Sequence, residues 1–211
     1  MITAHSGSDG YIPNSLEFVQ AMIDGGVEAL EIDVHVSSDQ TLYVSHDATD
    51  KWSDQAKLSQ VYNRLKNSGN SDLILNVDCK ESRVGPLALA LAKDLGVYDQ
   101  VVLSGSLNLT DYSPEERQHL FYNLENHINL EDWPLADSDF KKILEEISQA
   151  GVSTVQSYYR LIDLDLIEKI HQAGLQLSVW TIDDPQEMTN YLDMGADNIT
   201  TNIALAYQDF A

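Results

Sequence analysis

Short apolar runs alternate with helix-like patterns along the whole chain. Residues 2–5, 28–33, 73–78, 100–104, 119–123, 152–156, 175–180 and 197–200 read as eight strands. Between them, apolar residues recur at helical spacing. Leu16, Val19 and Ile23 lead to the stop signal Gly25-Gly26, and Leu58, Val61, Tyr62 and Leu65 form a second stripe. Further helices are predicted over 86–95, 140–150, 161–173, 185–194 and 204–207. Gly151, Gly174 and Gly195 each close a helix just before a strand, because glycine enters the left-handed conformation at little cost. Strands that alternate with helices predict a parallel sheet, and eight of them predict an α/β fold, a single (β/α)8 TIM-type barrel spanning 1–211. An open doubly wound sheet is the rival, but His5-Ser-Gly-Ser-Asp-Gly10 lacks the GxGxxG spacing it would use. Residues 49–60 and 107–114 show no clear period and are expected as loops.

One stretch departs from the simple beat. Glu31, Asp33 and His35 alternate with Ile32, Val34 and Val36, which is the period of a strand. Ser37-Ser-Asp-Gln40 is a turn signal, and Thr41-Leu-Tyr-Val-Ser45 runs back. The second strand is therefore expected to carry a β-hairpin extension that returns His46 toward Glu31 and Asp33. The two carboxylates share a face. At the edge of a sheet that face would be wet. In a barrel the strands are buried on both faces, so inward carboxylates need another explanation.

Composition narrows the partners. The 34 acidic residues against 12 Lys and Arg give a net charge of −22, which argues against nucleic acid and against anionic membrane surfaces. An anionic substrate would need a metal or a few well-placed cations. Cys79 is the one cysteine, so no intramolecular disulfide can form. No apolar run reaches membrane-spanning length, and Met1-Ile-Thr-Ala-His5 does not read as a signal peptide, so no stable membrane anchor and a cytoplasmic location are expected. The sequence sets no oligomeric state.

In a barrel of this type, polar residues at the C-terminal ends of the strands face the active-site mouth. In strand order these ends supply His5, then Glu31 and Asp33, then His46 and Asp47 from the hairpin. Asn76, Asp78 and Lys80 follow, then Ser104, then Gln156, Tyr158 and Arg160, and finally Trp180. Glu31, Asp33 and Asp78 are an all-oxygen ligand set suited to Mg²⁺ or Ca²⁺ rather than Zn²⁺. His5 and His46 suit general acid/base work, since imidazole titrates near neutral pH. Lys80 can hold a phosphate oxygen, and Trp180 offers an apolar wall or a face for a cationic head group. Together they fit metal-assisted attack on a phosphodiester. His35, His119, His127 and His171 read as structural.

These segments resemble the glycerophosphodiester phosphodiesterase family, a branch of the phospholipase-C-like phosphodiesterase barrels. Ala4-His5 with Gly7 and Pro13-Asn-Ser15 resembles its AHRG…PENT opening. Ala29-Leu-Glu-Ile-Asp-Val-His35 resembles EIDVH, Val44-Ser-His-Asp47 resembles VxHD, and Leu75-Asn-Val-Asp-Cys-Lys80 resembles NIEIK. Val179-Trp-Thr-Ile-Asp183 and Gly195-Ala-Asp-Asn-Ile-Thr-Thr-Asn202 resemble its two closing motifs. The resemblance implies cation-dependent hydrolysis of a small glycerophosphodiester to glycerol 3-phosphate and an alcohol. It implies His5 and His46 as the acid/base pair, Glu31, Asp33 and Asp78 as metal ligands and Lys80 as the phosphate lysine. Four positions depart from it. Ser6 stands for the family's arginine, Asn14 for its glutamate, Asp78 for a glutamate and Asn202 for a closing aspartate. A serine cannot imitate the guanidinium fork, and Arg160 is the candidate to supply it. The departures leave open a related phosphodiesterase of different head-group specificity, and a catalytically altered or silent barrel that binds a phosphorylated metabolite.

Overall fold

A computed structural model of the chain describes residues 1–128 and 133–210. In chain order the elements are β1 (Ile2–Ala4), α1 (Leu16–Asp24), β2 (Ala29–Val36), β3 (Leu42–Val44), α2 (Leu58–Asn67), β4 (Ile74–Cys79), α3 (Val84–Leu95) and β5 (Val101–Gly105). They continue with β6 (Phe121–Asn123), α4 (Asp137–Gln149), β7 (Thr154–Tyr158), α5 (Leu164–Gln172), β8 (Gln176–Trp180), α6 (Pro185–Met194), β9 (Asn198–Thr201) and α7 (Ala204–Phe210). Among the described residues, eight parallel strands alternate with seven helices, and β3 alone is antiparallel. These are the elements of the expected (β/α)8 barrel. No helix among the described residues is long and apolar enough to cross a membrane.

The chain divides into two compact units. The first holds Met1–Asn108 and the segment from Thr201 onward. Its sheet runs β5-β4-β2-β1 in parallel, with β3 folded back on β2. Every residue of β2 is buried, as a barrel strand requires. Leu30 and Ile32 lie opposite Leu75 and Val77 of β4, and Phe18 and Met22 of α1 and the Leu58, Tyr62 and Leu65 stripe of α2 are buried as well. Fully burying each of these apolar side chains contributes roughly 1.5–3 kcal/mol. The predicted turn at 37–40 is present: Ser37 N–H donates to Thr41 O, and Gln40 takes a positive φ of 67°. The registers matter most for function. Glu31 lies opposite Asn76, Asp33 opposite Asp78, and Asp78 opposite Ser104.

The second unit, Leu109–Thr200, holds the parallel strands β6-β7-β8-β9 and their helices. Asp163 and Asp184 cap α5 and α6 by accepting the backbone N–H of Leu166 and Glu187. Several boundaries differ from the sequence pattern, two of them for a clear reason. Helix α3 starts at Val84, ahead of Pro86, because a first-turn proline gives up no helical hydrogen bond. Helix α5 starts at Leu164, since Tyr159–Leu161 forms a separate 3₁₀ turn before the Asp163 cap. The aperiodic stretches contain single 3₁₀ turns, Trp52–Asp54 and Leu109–Asp111, which are too short to show a period.

Candidate metal and phosphate site

The first unit gathers three carboxylates at the ends of adjacent parallel strands. One oxygen from each of Glu31, Asp33 and Asp78 lies within 4.8 Å of the other two. The strand register produces this directly, since Asp33 and Asp78 are neighbours across β2 and β4 and Glu31 is two residues earlier on the same face. Glu31 and Asp33 are only 5% and 4% exposed. So much buried negative charge needs compensation, and Lys80 provides part of it. Its Nζ lies 2.6 Å from Asp33 Oδ1 and 2.6 Å from Asp78 Oδ2. Ser104 Oγ donates to Asp78 Oδ1 at 3.0 Å.

The electrostatics separate the carboxylates. Burial pushes Glu31 well above the usual carboxylate range, and the neighbouring Asp33 and Asp78 push it further. The Ser6 N–H and Lys80 offset only part of this. Burial also acts upward on Asp33, but hydrogen bonds from Asn14 and Lys80 outweigh it and hold Asp33 below its ordinary value. Burial alone would lower Lys80. The charges of Asp78 and Asp33 reverse that and raise it.

The histidines flank this cluster on two loops. His5 follows β1, and its Nε2 is 4.0 Å from Glu31 Oε2. Its Nδ1 is 2.9 Å from Asn202 Oδ1. A carbonyl oxygen only accepts, so Nδ1 donates this bond and Nε2 is the ring nitrogen that remains. His46 follows β3, where Ser45 N–H donates to Asp33 O at 3.0 Å. Its Nδ1 is 2.9 Å from Asp47 Oδ1, which again leaves Nε2 for chemistry. His35, read from the sequence as structural, is buried beneath this loop. It stacks on Tyr43 at 5.6 Å, and its Nε2 is 3.2 Å from the carbonyl of His46. Tyr43 in turn accepts the Thr49 N–H at its hydroxyl.

The first loop is fastened at both ends. Asp9 takes the N–H groups of Leu205 and Ala206 at the start of α7, and Ser8 Oγ takes that of Ala204. These are orphan donors of a helix N-terminus, where a carboxylate is favoured. The other end reaches the carboxylates through Ser6 and Asn14. Gly7 makes the tight path possible: its φ is +87°, and a Cβ there would lie 2.7 Å from Pro13 Cγ.

Six of the residues expected from the sequence therefore lie in the first unit: His5, Glu31, Asp33, His46, Asp78 and Lys80. Arg160 and Trp180 belong to the second unit. There Arg160 Nε donates to Tyr159 Oη at 2.9 Å, and the guanidinium lies over the Tyr159 ring. Trp180 packs against Tyr158 at 5.6 Å, with its indole N–H buried and without a hydrogen-bond partner among the described residues. Sequence reasoning passed over Gly105. An added Cβ would lie 2.5 Å from Cys79 O and 2.6 Å from Asp78 Oδ1, so only glycine leaves Asp78 where it is. A glycine at the end of a strand, next to a strand-end carboxylate, was the available signal.

The family model for glycerophosphoryl diester phosphodiesterases matches residues 5–133 and 118–204. The chain belongs to this family. A glycerophosphodiester phosphodiesterase of Arabidopsis thaliana is 22% identical, over 99% of this chain and 72% of its own length. Solved structures share the fold. A glycerophosphodiester phosphodiesterase from Parabacteroides distasonis aligns with a TM-score of 0.75 at 21% identity, covering 99% of this chain and 95% of its own. One from Thermotoga maritima gives 0.72 at 20% identity, with 100% and 97% covered. An Oleispira antarctica phosphodiesterase, solved with the product sn-glycerol-3-phosphate, gives 0.74 at 15% identity, with 99% and 95% covered. The fold of this family member is thus the (β/α)8 barrel that the strand count predicts.

The donor set fits a hard divalent cation. All three candidate ligands offer carboxylate oxygens, and Mg²⁺ and Ca²⁺ both favour oxygen. Opposite Glu31, the buried Asn76 Oδ1 has no hydrogen-bond partner among the described residues, so a fourth hard oxygen stands on the neighbouring strand. When all are ionised, three carboxylates against one ammonium leave two negative charges, which a divalent cation would neutralise.

Proposed function

We propose that this chain is a divalent-cation-dependent phosphodiesterase that hydrolyses a small glycerophosphodiester to glycerol 3-phosphate and an alcohol. One observation carries the reading: three ligand-grade carboxylates, with an ammonium touching two of them and His5 4.0 Å from the third, in a member of this family. The Oleispira neighbour's product is a phosphate monoester of glycerol, which suits the same substrate class.

Glu31, Asp33 and Asp78 would hold the cation, which when bound neutralises charge on the non-bridging phosphate oxygens. Lys80 meets the same phosphate from the side as a point charge. Hydrolysis forms one P–O bond to the attacking oxygen and breaks the P–O bond to the alcohol. The attacking water loses a proton and the departing alkoxide gains one. His5 and His46 are the pair that carries these protons. Asn202 and Asp47 each occupy an Nδ1, which directs both Nε2 atoms to the work.

The test is hydrolysis of glycerophosphocholine with Mg²⁺ or Ca²⁺, with and without chelator. Turnover should need the cation. His46→Ala should lower kcat by about 10²- to 10⁴-fold, the usual worth of a general acid or base, and leave cation affinity nearly intact. Glu31→Ala should remove the cation. Cation binding without turnover of any glycerophosphodiester would reject the enzyme reading in favour of a binding module.

A further inference from the structure

We propose that Asn14 is a positioning residue for the cation ligands, and that Asn14 and Ser6 act together as a neutral clamp on Asp33 and Glu31. The inference rests on the cation-dependent reading above. Four hydrogen bonds define the clamp. Asn14 Nδ2 donates to Asp33 Oδ2 at 2.7 Å, and Asn14 Oδ1 accepts the Asp33 N–H at 2.9 Å. Asn14 N–H donates to Ser6 Oγ at 2.8 Å, and Ser6 N–H donates to Glu31 Oε2 at 3.0 Å. One planar carboxamide thus grips both the backbone and the carboxylate of Asp33, and the serine ties that grip to Glu31.

The geometry assigns the two oxygens of Asp33 different tasks. Oδ2 is taken by Asn14, while Oδ1 faces Lys80 Nζ at the centre of the cluster. Asp33 is therefore held to offer a cation one oxygen, in one orientation. A carboxylate at position 14 could accept the Asp33 N–H but could not donate to Oδ2. It would also add a fourth negative charge to the group. The backbone suits the residue, because Asn14 sits at φ 59°, a left-handed conformation that asparagine tolerates better than most. Ser6 and Asn14, where the family resemblance calls for arginine and glutamate, are thus the two ends of one connected unit. The Ser6 hydroxyl takes the main-chain N–H of Asn14, and the Asn14 carboxamide takes Asp33.

The measurement is Ca²⁺ and Mg²⁺ affinity of the full chain by titration calorimetry, with unfolding free energy recorded separately. Asn14→Gly keeps the left-handed backbone and deletes the carboxamide. It should weaken cation binding about 10- to 100-fold, as loss of a ligand's hydrogen-bond partner typically does. Asn14→Asp keeps size and backbone tolerance and exchanges only the donor for a charged acceptor, so it stays informative if the glycine variant folds poorly. The clamp predicts weaker binding for Asn14→Asp. Charge attraction alone predicts tighter binding. Ser6→Ala should weaken binding, and adding it to Asn14→Gly should cost little more than Asn14→Gly alone. Cation affinity within twofold of the parent in Asn14→Gly, tighter binding in Asn14→Asp, or additive losses in the double variant would each overturn the proposal. A parent chain that binds no divalent cation would overturn the functional reading itself, a result distinct from all three.

Discussion

Replacing Lys80 with Met probes the charge balance of the site from two directions at once. In the metal-free protein the ammonium touches Asp33 Oδ1 and Asp78 Oδ2, each at 2.6 Å. A unit pair about 4 Å apart is worth roughly 4 kcal/mol at an effective dielectric near 20, before the desolvation of the ammonium is subtracted. Deleting one partner of a fully buried pair costs about 3–5 kcal/mol. The Lys80 side chain is 23% exposed and that of Asp78 21%, so solvent screening trims the expected loss to about 2–4 kcal/mol. Urea unfolding in chelator should show this as a lower midpoint with an unchanged slope. Cation binding should respond the opposite way. Lys80 rests on two of the oxygens a cation would use, so the methionine variant should bind Ca²⁺ at least as tightly as the parent. Saturating cation at about 100 times its dissociation constant adds roughly 2.7 kcal/mol to a site that binds only when folded, which would restore most of the lost stability. Turnover should stay low even then, because the phosphate has lost its ammonium. Metal-free Lys80→Met as stable as the parent, or unable to bind the cation, would refute this account of the site.

Two further perturbations act on the same carboxylates. Gly105→Ala would place a methyl 2.6 Å from Asp78 Oδ1 at a φ of +82°, so it should lose about 1–3 kcal/mol of stability, with weaker cation binding by calorimetry; unaltered affinity would show that Asp78 is not a ligand. The pH dependence follows from Glu31 and Asp33. Glu31 is raised above its ordinary 4.5, so in chelator the folded state is progressively disfavoured as pH rises from 4.5 through the folded value. Asp33 is lowered from 3.8, so its contribution is present above 3.8 and lost as pH falls through the folded value. Thermal melts should therefore show the stability added by Ca²⁺ growing from pH 5 to pH 8, as ionised Glu31 gains a counter-charge. A cation effect independent of pH over that range would rule out Glu31 as a ligand.

Much of the site was legible because it rests on short-range rules. A strand's period of two puts Glu31 and Asp33 on one face, and the habit of barrel strands to end in polar side chains adds His5, Asp78 and Lys80. The turn at 37–40 fixes the hairpin register, Val34 opposite Val44, and so returns Ser45 to the Asp33 carbonyl with His46 next in the chain. What could not be read were contacts whose partners are far apart in sequence and joined by irregular backbone. His35 shares the strand period of Glu31 and Asp33, yet it supports the His46 carbonyl through the fold of the hairpin. The 49–60 stretch has no period because its order comes from single contacts, such as Val44 N–H to Ala56 O.

Ser6 and Asn14 mark the boundary between the two kinds of information most clearly. In the sequence they register as an absent cation and an absent anion, and Arg160 is sought as a replacement. The charges of a sequence carry no information about φ. Once Asn14 turns into the left-handed region and Gly7 lets the loop close on Pro13, a carboxamide reaches a carboxylate 19 residues away. A buried anion can be held by hydrogen bonds from neutral donors as well as by a counter-charge, and such bonds fix direction where a point charge does not. Three carboxylates with a single lysine already approach the charge a divalent cation needs. A further charged residue would disturb that balance, and what the ligands still need from the first loop is orientation.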